Sequence, residues 1–226
     1  MKLYTHPVST TSRPLLMFCA SENVDIEHVT VDFFSGEHVQ EPYLKTNPNG
    51  MVPALDDDGF ILTESSAMLK YLAEKTGSAT YPEDPQARAR VNEIMDWFNS
   101  NFYREIGYHL VYPQCFPSHK REPDAMNQSV IDWGLEQTKK QLEILDHKWH
   151  TFAGGGKYLT GDQLTIADYF GSELAACGDL IRVDWSGYAN VARWLDSMKA
   201  LPAWAPVHEV IDGFAGSIAE TEFTGF

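Results

Sequence analysis

Apolar positions follow two different periods along this chain, and the change falls close to residue 80. "KLYT" at residues 2–5 reads as a short apolar strand. "RPLLMFCASE" has helical spacing, with Pro14 in a first turn where its missing N–H costs no hydrogen bond. "IEHVTVDF" alternates in the β manner, and "GEHVQEPYLKTNPNG" is an irregular or short helical segment ending in turn chemistry. "VPAL" and "FILT" flank "DDDG", whose Asp58 and Gly59 predict a tight hairpin turn. Ala67, Met68, Tyr71 and Leu72 recur at three and four, so "ESSAMLKYLAEKTG" is an amphipathic helix closed by Gly77.

Residues 1–77 therefore read βαβαββα, an α/β domain in which a small mixed sheet is covered by helices. "SATYPEDP" at 78–85 is the expected linker, and strand-like alternation largely stops beyond it. Residues 86–226 read as an all-helical domain, with helices near 86–110, 124–150, 165–181, 188–200 and 204–213. "PQCFPSHKREP", "AGGGKYLTGDQ" and "LPAW" supply the breaks; "AGGGK" lacks the Walker-A pattern and is read as a loop. Trp149, Trp185, Trp194 and Trp204 are read as packing residues.

An apolar content of 43% suffices for real cores. The net charge of −15 repels phosphate backbones and anionic lipid surfaces, so nucleic acid and membrane are not expected partners. No apolar run reaches the roughly 20 residues a membrane helix needs, and the first residues lack a secretory apolar stretch. A cytoplasmic protein is expected. Cys19, Cys115 and Cys177 have no paired spacing and are read as buried thiols, outside any disulfide or metal site.

Two stretches carry chemistry. In "NPNGMVPAL", Val52 and Pro53 follow a turn and precede a strand; a proline there can be cis and can leave the backbone of Val52 free to bind a peptide by strand addition. In "LTESSAMLKYLAEK", Glu64 and Ser65 sit at a helix N-terminus, where amides and a hydroxyl hold a carboxylate and Glu64 takes an ammonium. A γ-glutamyl peptide has both groups. In order and at these spacings the stretches resemble the cytosolic glutathione transferases, over nearly the whole chain. The family resemblance implies a thioredoxin-like N-terminal domain, an all-α C-terminal domain, glutathione as co-substrate with no metal, and a homodimer.

The resemblance extends to "YPEDPQARARVNEIMDW", like the start of the fourth helix in theta-like members, and to "LTGDQLTIADYF", like the family's N-capping box. There Thr165 caps and Asp168 returns the bond, a stabilising device without chemistry. Family classes differ in the residue that activates sulfur. No cysteine lies in the first loop, which disfavours a thiol transferase or disulfide reductase, and Tyr4 lies within the strand. "STTSR" instead resembles serine-type members of the theta and phi kind, with Ser9 four residues before Arg13.

A thiol with a pKa of roughly 8.5 is mostly protonated at neutral pH, whereas the thiolate is the nucleophile. Ser9 is expected to donate its O–H to the sulfur, with Thr10, Thr11 and Ser12 as open alternatives, while the helix N-terminus adds a smaller effect. Helix capping explains Ser12 equally well. His38 resembles the theta-like residue at the glycyl end of glutathione, and Met51 departs from relatives with a lysine there. The electrophile is expected between the domains, against Phe102, Arg104, Tyr108 and Tyr112, in an apolar pocket. Arg182 is read as a surface ion-pair residue. The implied function is attack of the glutathione thiolate on a small apolar electrophile, by substitution or conjugate addition, with dehalogenation or peroxide reduction within range. The rival is a non-catalytic glutathione-binding or assembly module.

Overall fold

The computed structural model describes residues 1–149 and 156–226. Its first domain runs β1 (Lys2–Thr5), α1 (Arg13–Glu22), β2 (Glu27–Thr30), α2 (Glu41–Leu44), β3 (Ala54–Asp57), β4 (Phe60–Leu62) and α3 (Ser65–Thr76), the predicted βαβαββα order. The sheet order is β2-β1-β3-β4, with β1 parallel to β2 and antiparallel to β3. The mixed pairing follows from the connections: α1 carries the chain back for a parallel neighbour, while the Asp58–Gly59 turn makes β3 and β4 a hairpin. Both turn residues have positive φ, 52° and 95°.

Period-2 alternation splits the sheet's two faces. Leu3 and Leu55 enter the main core with Leu15, Phe18, Met68 and Leu72 of α1 and α3. Val31, Tyr43 and Val52 form a smaller cluster with Tyr4 and Phe33. β3 begins two residues later than expected and runs to Asp57. The acidic end is tolerated because Asp57 accepts from Tyr71 and Lys75 of α3.

Gly77, in the left-handed conformation, ends α3, and Asp84 caps the next helix by accepting from the backbone of Gln86 and Ala87. The described part of the helical domain includes α4 (Pro85–Trp97), wide π turns at Phe98–Phe102 and Arg104–Val111, α5 (Tyr112–Cys115), α6 (Asp124–Ile144) widening to π turns over Leu145–Trp149, α7 (Ile166–Ala176), α8 (Ala189–Lys199) and α9 (Trp204–Ser217). Three differences from expectation have local causes. The first helical run continues past 110 to Cys115 because Pro113 falls in the opening turn of α5. The 165–181 helix is α-helical only to Ala176 and tightens to 3₁₀ over Cys177–Ile181. α9 passes through exposed Gly213 and reaches Ser217.

α7 is buried along its whole length and forms the spine of this domain. The expected cap is present: Asp168 accepts from Thr165 N–H and Oγ1–H at 2.8 and 2.9 Å, and also from Leu159 N–H and Trp194 Nε1–H. Trp194 and Trp204 are buried, as read, and Trp185 is half-buried. Most of the "AGGGK" loop and the side chain of Trp149 lie outside the described residues. Arg182 makes no ion pair among the described residues; its guanidinium instead donates to the carbonyls of Ala219 and Thr221 and covers the Phe223 ring, clasping the C-terminal segment.

Candidate active site

A cleft of about 560 Å³ lies where the two domains meet. Its first wall is built by Thr11, by Asn47, Asn49, Met51, Val52 and Pro53, and by Glu64, Ser65 and Ser66. The facing wall is Asn99, Ser100, Tyr103, Arg104 and Tyr108 from the π-turn stretch, with Phe170 of α7.

The first wall presents mainly backbone. The Val52–Pro53 bond is cis, and no hydrogen bond reaches Val52 N–H among the described residues. Its carbonyl accepts from Thr11 Oγ1 at 3.1 Å. Asn47 braces the loop from behind: its Nδ2 donates to Met51 O at 2.7 Å and its Oδ1 accepts from Asn49 N–H. Gly50 has φ +61°, and a Cβ there would lie 3.3 Å from His38 O, so conformation and close approach both ask for glycine. At the other end of this wall Glu64 holds φ +69°, an unusual conformation for a non-glycine residue, directly before the first turn of α3. Among the described residues no side-chain hydrogen bond caps the start of α3, so its opening amides face the cleft end of this wall without a capping partner.

Ser9 is half-buried and is absent from the cleft lining, whereas Thr11 is part of it. The two hydroxyls are 3.2 Å apart, and Ser9 Oγ also accepts from Ser12 N–H at 3.2 Å. Thr11 spends its one proton on Val52 O, so Ser9 is the donor between the two hydroxyls. Thr10 is buried beside Tyr112. Ser12 is fully buried and accepts from His6 N–H at 3.4 Å, so it faces inward.

Arg13 holds this loop. Its Nη1 donates to Val8 O at 3.0 Å and its Nε to Glu173 Oε2 of α7 at 2.8 Å, with both side chains almost wholly buried. His208 Nε2 of α9 lies 3.1 Å from the same oxygen without hydrogen-bond alignment. A charge pair this buried is bound to the folded geometry, because removing either partner strands the other charge.

The second wall presents side chains. Tyr103 N–H bonds Phe98 O and Tyr112 N–H bonds Gly107 O, both five residues back, so this stretch winds wider than an α-helix and rotates its faces. Tyr103 and Tyr108 reach the cleft. Tyr112 is buried behind them, its hydroxyl 2.6 Å from that of Tyr103. Burial raises all three phenols above the ordinary tyrosine value, so they are neutral hydrogen-bonding groups at neutral pH. Gly107 makes room for the Tyr103 ring; a Cβ there would sit 2.7 Å from Tyr103 Cε2.

Of the residues expected from the sequence, Val52, Pro53, Glu64, Ser65, Arg104 and Tyr108 are brought together in the cleft. Phe102 is not: it is fully buried in the core against Trp97 and Phe98. Tyr112 stands one layer behind the lining. His38 stacks on Phe33 at 4.3 Å, its Nδ1 buried without a hydrogen-bond partner, and the loop positions that line the cleft nearby are Asn47 and Asn49. The expected lining set left out Tyr103, named only as one aromatic of this stretch, and Asn99, Ser100 and Phe170, although Asn99 and Tyr103, like Ser100 and Arg104, stand at i,i+4. Cys19 and Cys177 are buried and Cys115 is half-buried; burial pushes the thiols of Cys19 and Cys115 up to about 12, far from reactive.

Residues 1–74 match the glutathione S-transferase N-terminal domain and residues 111–202 the glutathione S-transferase C-terminal domain. Among solved structures, a delta-class glutathione transferase of Nilaparvata lugens is similar at 29% identity and TM-score 0.80, covering 96% of this chain and 98% of that one. A diazinon-metabolizing glutathione S-transferase of the silkworm Bombyx mori is similar at 28% identity and TM-score 0.78, covering 96% and 98%. A homolog from Sulfitobacter, solved with bound glutathione, shares the fold at 24% identity and TM-score 0.76, covering 92% and 97%. No helix among the described residues is long and apolar enough to cross a membrane.

Proposed function

Because the chain belongs to the glutathione S-transferase family, we propose that its cleft binds glutathione along the first wall, holds the sulfur as thiolate, and delivers it to an electrophilic carbon on the second. The observation that carries this reading is a Val52 N–H that no hydrogen bond reaches among the described residues, set in one cleft with Glu64 and the amides that open α3. A peptide extended along Val52 adds as a strand, and its γ-glutamyl end meets Glu64 through its ammonium and Ser65 through its carboxylate. Bringing thiolate and electrophile together supplies much of the rate.

Thiolate stabilisation is assigned to Ser9, with Thr11 as the alternative. The Ser9 proton is held only by the long 3.2 Å bond to Thr11 Oγ1, whereas Thr11, nearer the cleft, gives its proton to Val52 O. A sulfur entering beside Thr11 draws the Ser9 O–H away from Thr11 Oγ1. The start of α1 adds a smaller field in the same sense. Nucleophilic substitution and conjugate addition both suit this arrangement. Exposed Phe60 and Ile61 on the β4 edge support a homodimer, and a cytoplasmic site of action fits free, buried thiols.

Titrating the ultraviolet absorbance of enzyme-bound thiolate in native protein, Ser9→Ala and Thr11→Val tests the assignment. Ser9→Ala is expected to raise the bound thiol pKa by about 1–2 units and lower kcat accordingly. A rise confined to Thr11→Val transfers the role to Thr11, and no change in either variant removes hydroxyl stabilisation altogether. Failure of glutathione to raise Tm would overturn glutathione binding itself.

A further inference from the structure

The facing wall is more polar than an apolar electrophile requires. Among the described residues, two formal charges line the cleft, Glu64 on the first wall and Arg104 on the second. On the proposed reading Glu64 meets the ammonium and Ser65 the γ-glutamyl carboxylate of glutathione on the first wall, whereas Arg104 stands on the facing wall, where the electrophile binds.

Arg104 is also held in a definite way. Its Nε donates to Glu105 Oε1 at 2.7 Å, and the other oxygen, Glu105 Oε2, lies 2.8 Å from His109 Nδ1. The Glu105 side chain is 4% exposed while that of Arg104 is 59% exposed, so the carboxylate acts as a fixed buried anchor for a guanidinium that reaches the cleft. Burial alone would raise the Glu105 pKa, but the bonds from His109 and Arg104 outweigh it and hold the carboxyl below its ordinary value. With Nε occupied, the two terminal nitrogens of Arg104 carry no hydrogen bond among the described residues. Asn99 and Ser100 extend the polar strip along the same wall.

We propose, resting on the transferase reading above, that this enzyme acts on electrophiles that carry an anionic group, a carboxylate or sulfonate, received by the terminal nitrogens of Arg104. A planar guanidinium anchored through Nε still presents two parallel N–H donors, the geometry that pairs with a carboxylate. The directed donors matter because the chain's net charge of −15 would otherwise disfavour an anionic substrate. The reactive ring or chain then lies against Tyr103, Tyr108 and Phe170, with its charged end toward solvent at Arg104.

The test compares one aromatic ring with and without a carboxylate: chlorodinitrobenzoate against chlorodinitrobenzene, at saturating glutathione, in native protein, Arg104→Gln and Arg104→Lys. The ratio of kcat/KM, carboxylated over neutral, is expected to fall by about tenfold or more in Arg104→Gln. Arg104→Lys is expected not to restore it, because a single ammonium is consumed by Glu105. An unchanged ratio overturns the inference; so does a parallel fall on both rings accompanied by a higher KM for glutathione, which would place Arg104 on the peptide. Should the native protein turn over neither ring, the transferase reading fails for these substrates, and the inference is read separately by equilibrium binding. The glutathione conjugate of the carboxylated ring must then bind native protein more tightly than Arg104→Gln, by a larger factor than the neutral conjugate does; equal factors overturn it.

Discussion

The wall of the cleft from the first domain offers mostly main chain, whereas the wall between α4 and α5 offers side chains. On the first, the Val52 amide and the opening amides of α3 are presented by a loop that Asn47 braces and by a residue at positive φ. On the second, Tyr103, Arg104 and Tyr108 point where the π turns rotate them. A backbone site needs particular residue types at fixed spacing to bend the chain, so it tolerates little change. A side-chain site can be rewritten residue by residue on the same helix. The two walls therefore suit a constant co-substrate and a variable one respectively.

Substitutions can break or sharpen this contrast. The largest effect is expected where both walls depend on one contact: Glu173→Ala leaves Arg13 charged, buried and unpaired, and should cost about 3–5 kcal/mol of stability. Urea denaturation measures it, and Glu173→Gln, which keeps an acceptor, should cost less. Next, Ser65→Ala removes a hydroxyl from the first wall and should weaken glutathione binding by roughly tenfold to a hundredfold, as for a lost hydrogen bond to a charged group. Calorimetric titration with glutathione would show it, and an equal change in electrophile KM would contradict the division of labour. Gly107→Ala forces the Tyr103 ring to shift, at a cost of about 1–3 kcal/mol. Its kinetic signature should fall on the electrophile KM while the glutathione KM holds. The smallest effect is expected from Thr11→Val, which removes one neutral hydrogen bond to Val52 O worth about 1 kcal/mol and should move glutathione affinity only several-fold.

The same contrast explains what the sequence disclosed. The order βαβαββα, the Asp58–Gly59 turn, the Asp168 cap and the Val52–Pro53 and Glu64–Ser65 pairs are local: each depends on a few neighbouring residues whose backbone preferences are strong. The second wall is not local. Phe102, read as lining, points into the core, and Tyr103, left out of that set, reaches the cleft. A wide turn adds an extra residue per turn, so a 3.6-residue projection loses register beyond Phe98, and no residue type in "FNSNF" announces that change. His38 is placed apart from the cleft lining for another reason. Its aromatic neighbour Phe33 offered a stacking surface that the matched segment did not reveal. The hydroxyl cluster was legible as a cluster only; which member faces the cleft depends on Arg13 pulling Val8, a contact that reaches 160 residues along the chain to Glu173.

That long reach limits how the chain can be taken apart. The loop bearing Ser9 is shaped by an acid from α7 and a neighbouring imidazole from α9, so a chimera that joins residues 1–77 to a helical domain from a relative inherits a working loop only if the new partner supplies an acid at the Glu173 position. Exchange of domains between such enzymes is thus governed by one buried charge, and recombination libraries that keep this pair together should retain far more folded members than libraries that divide it.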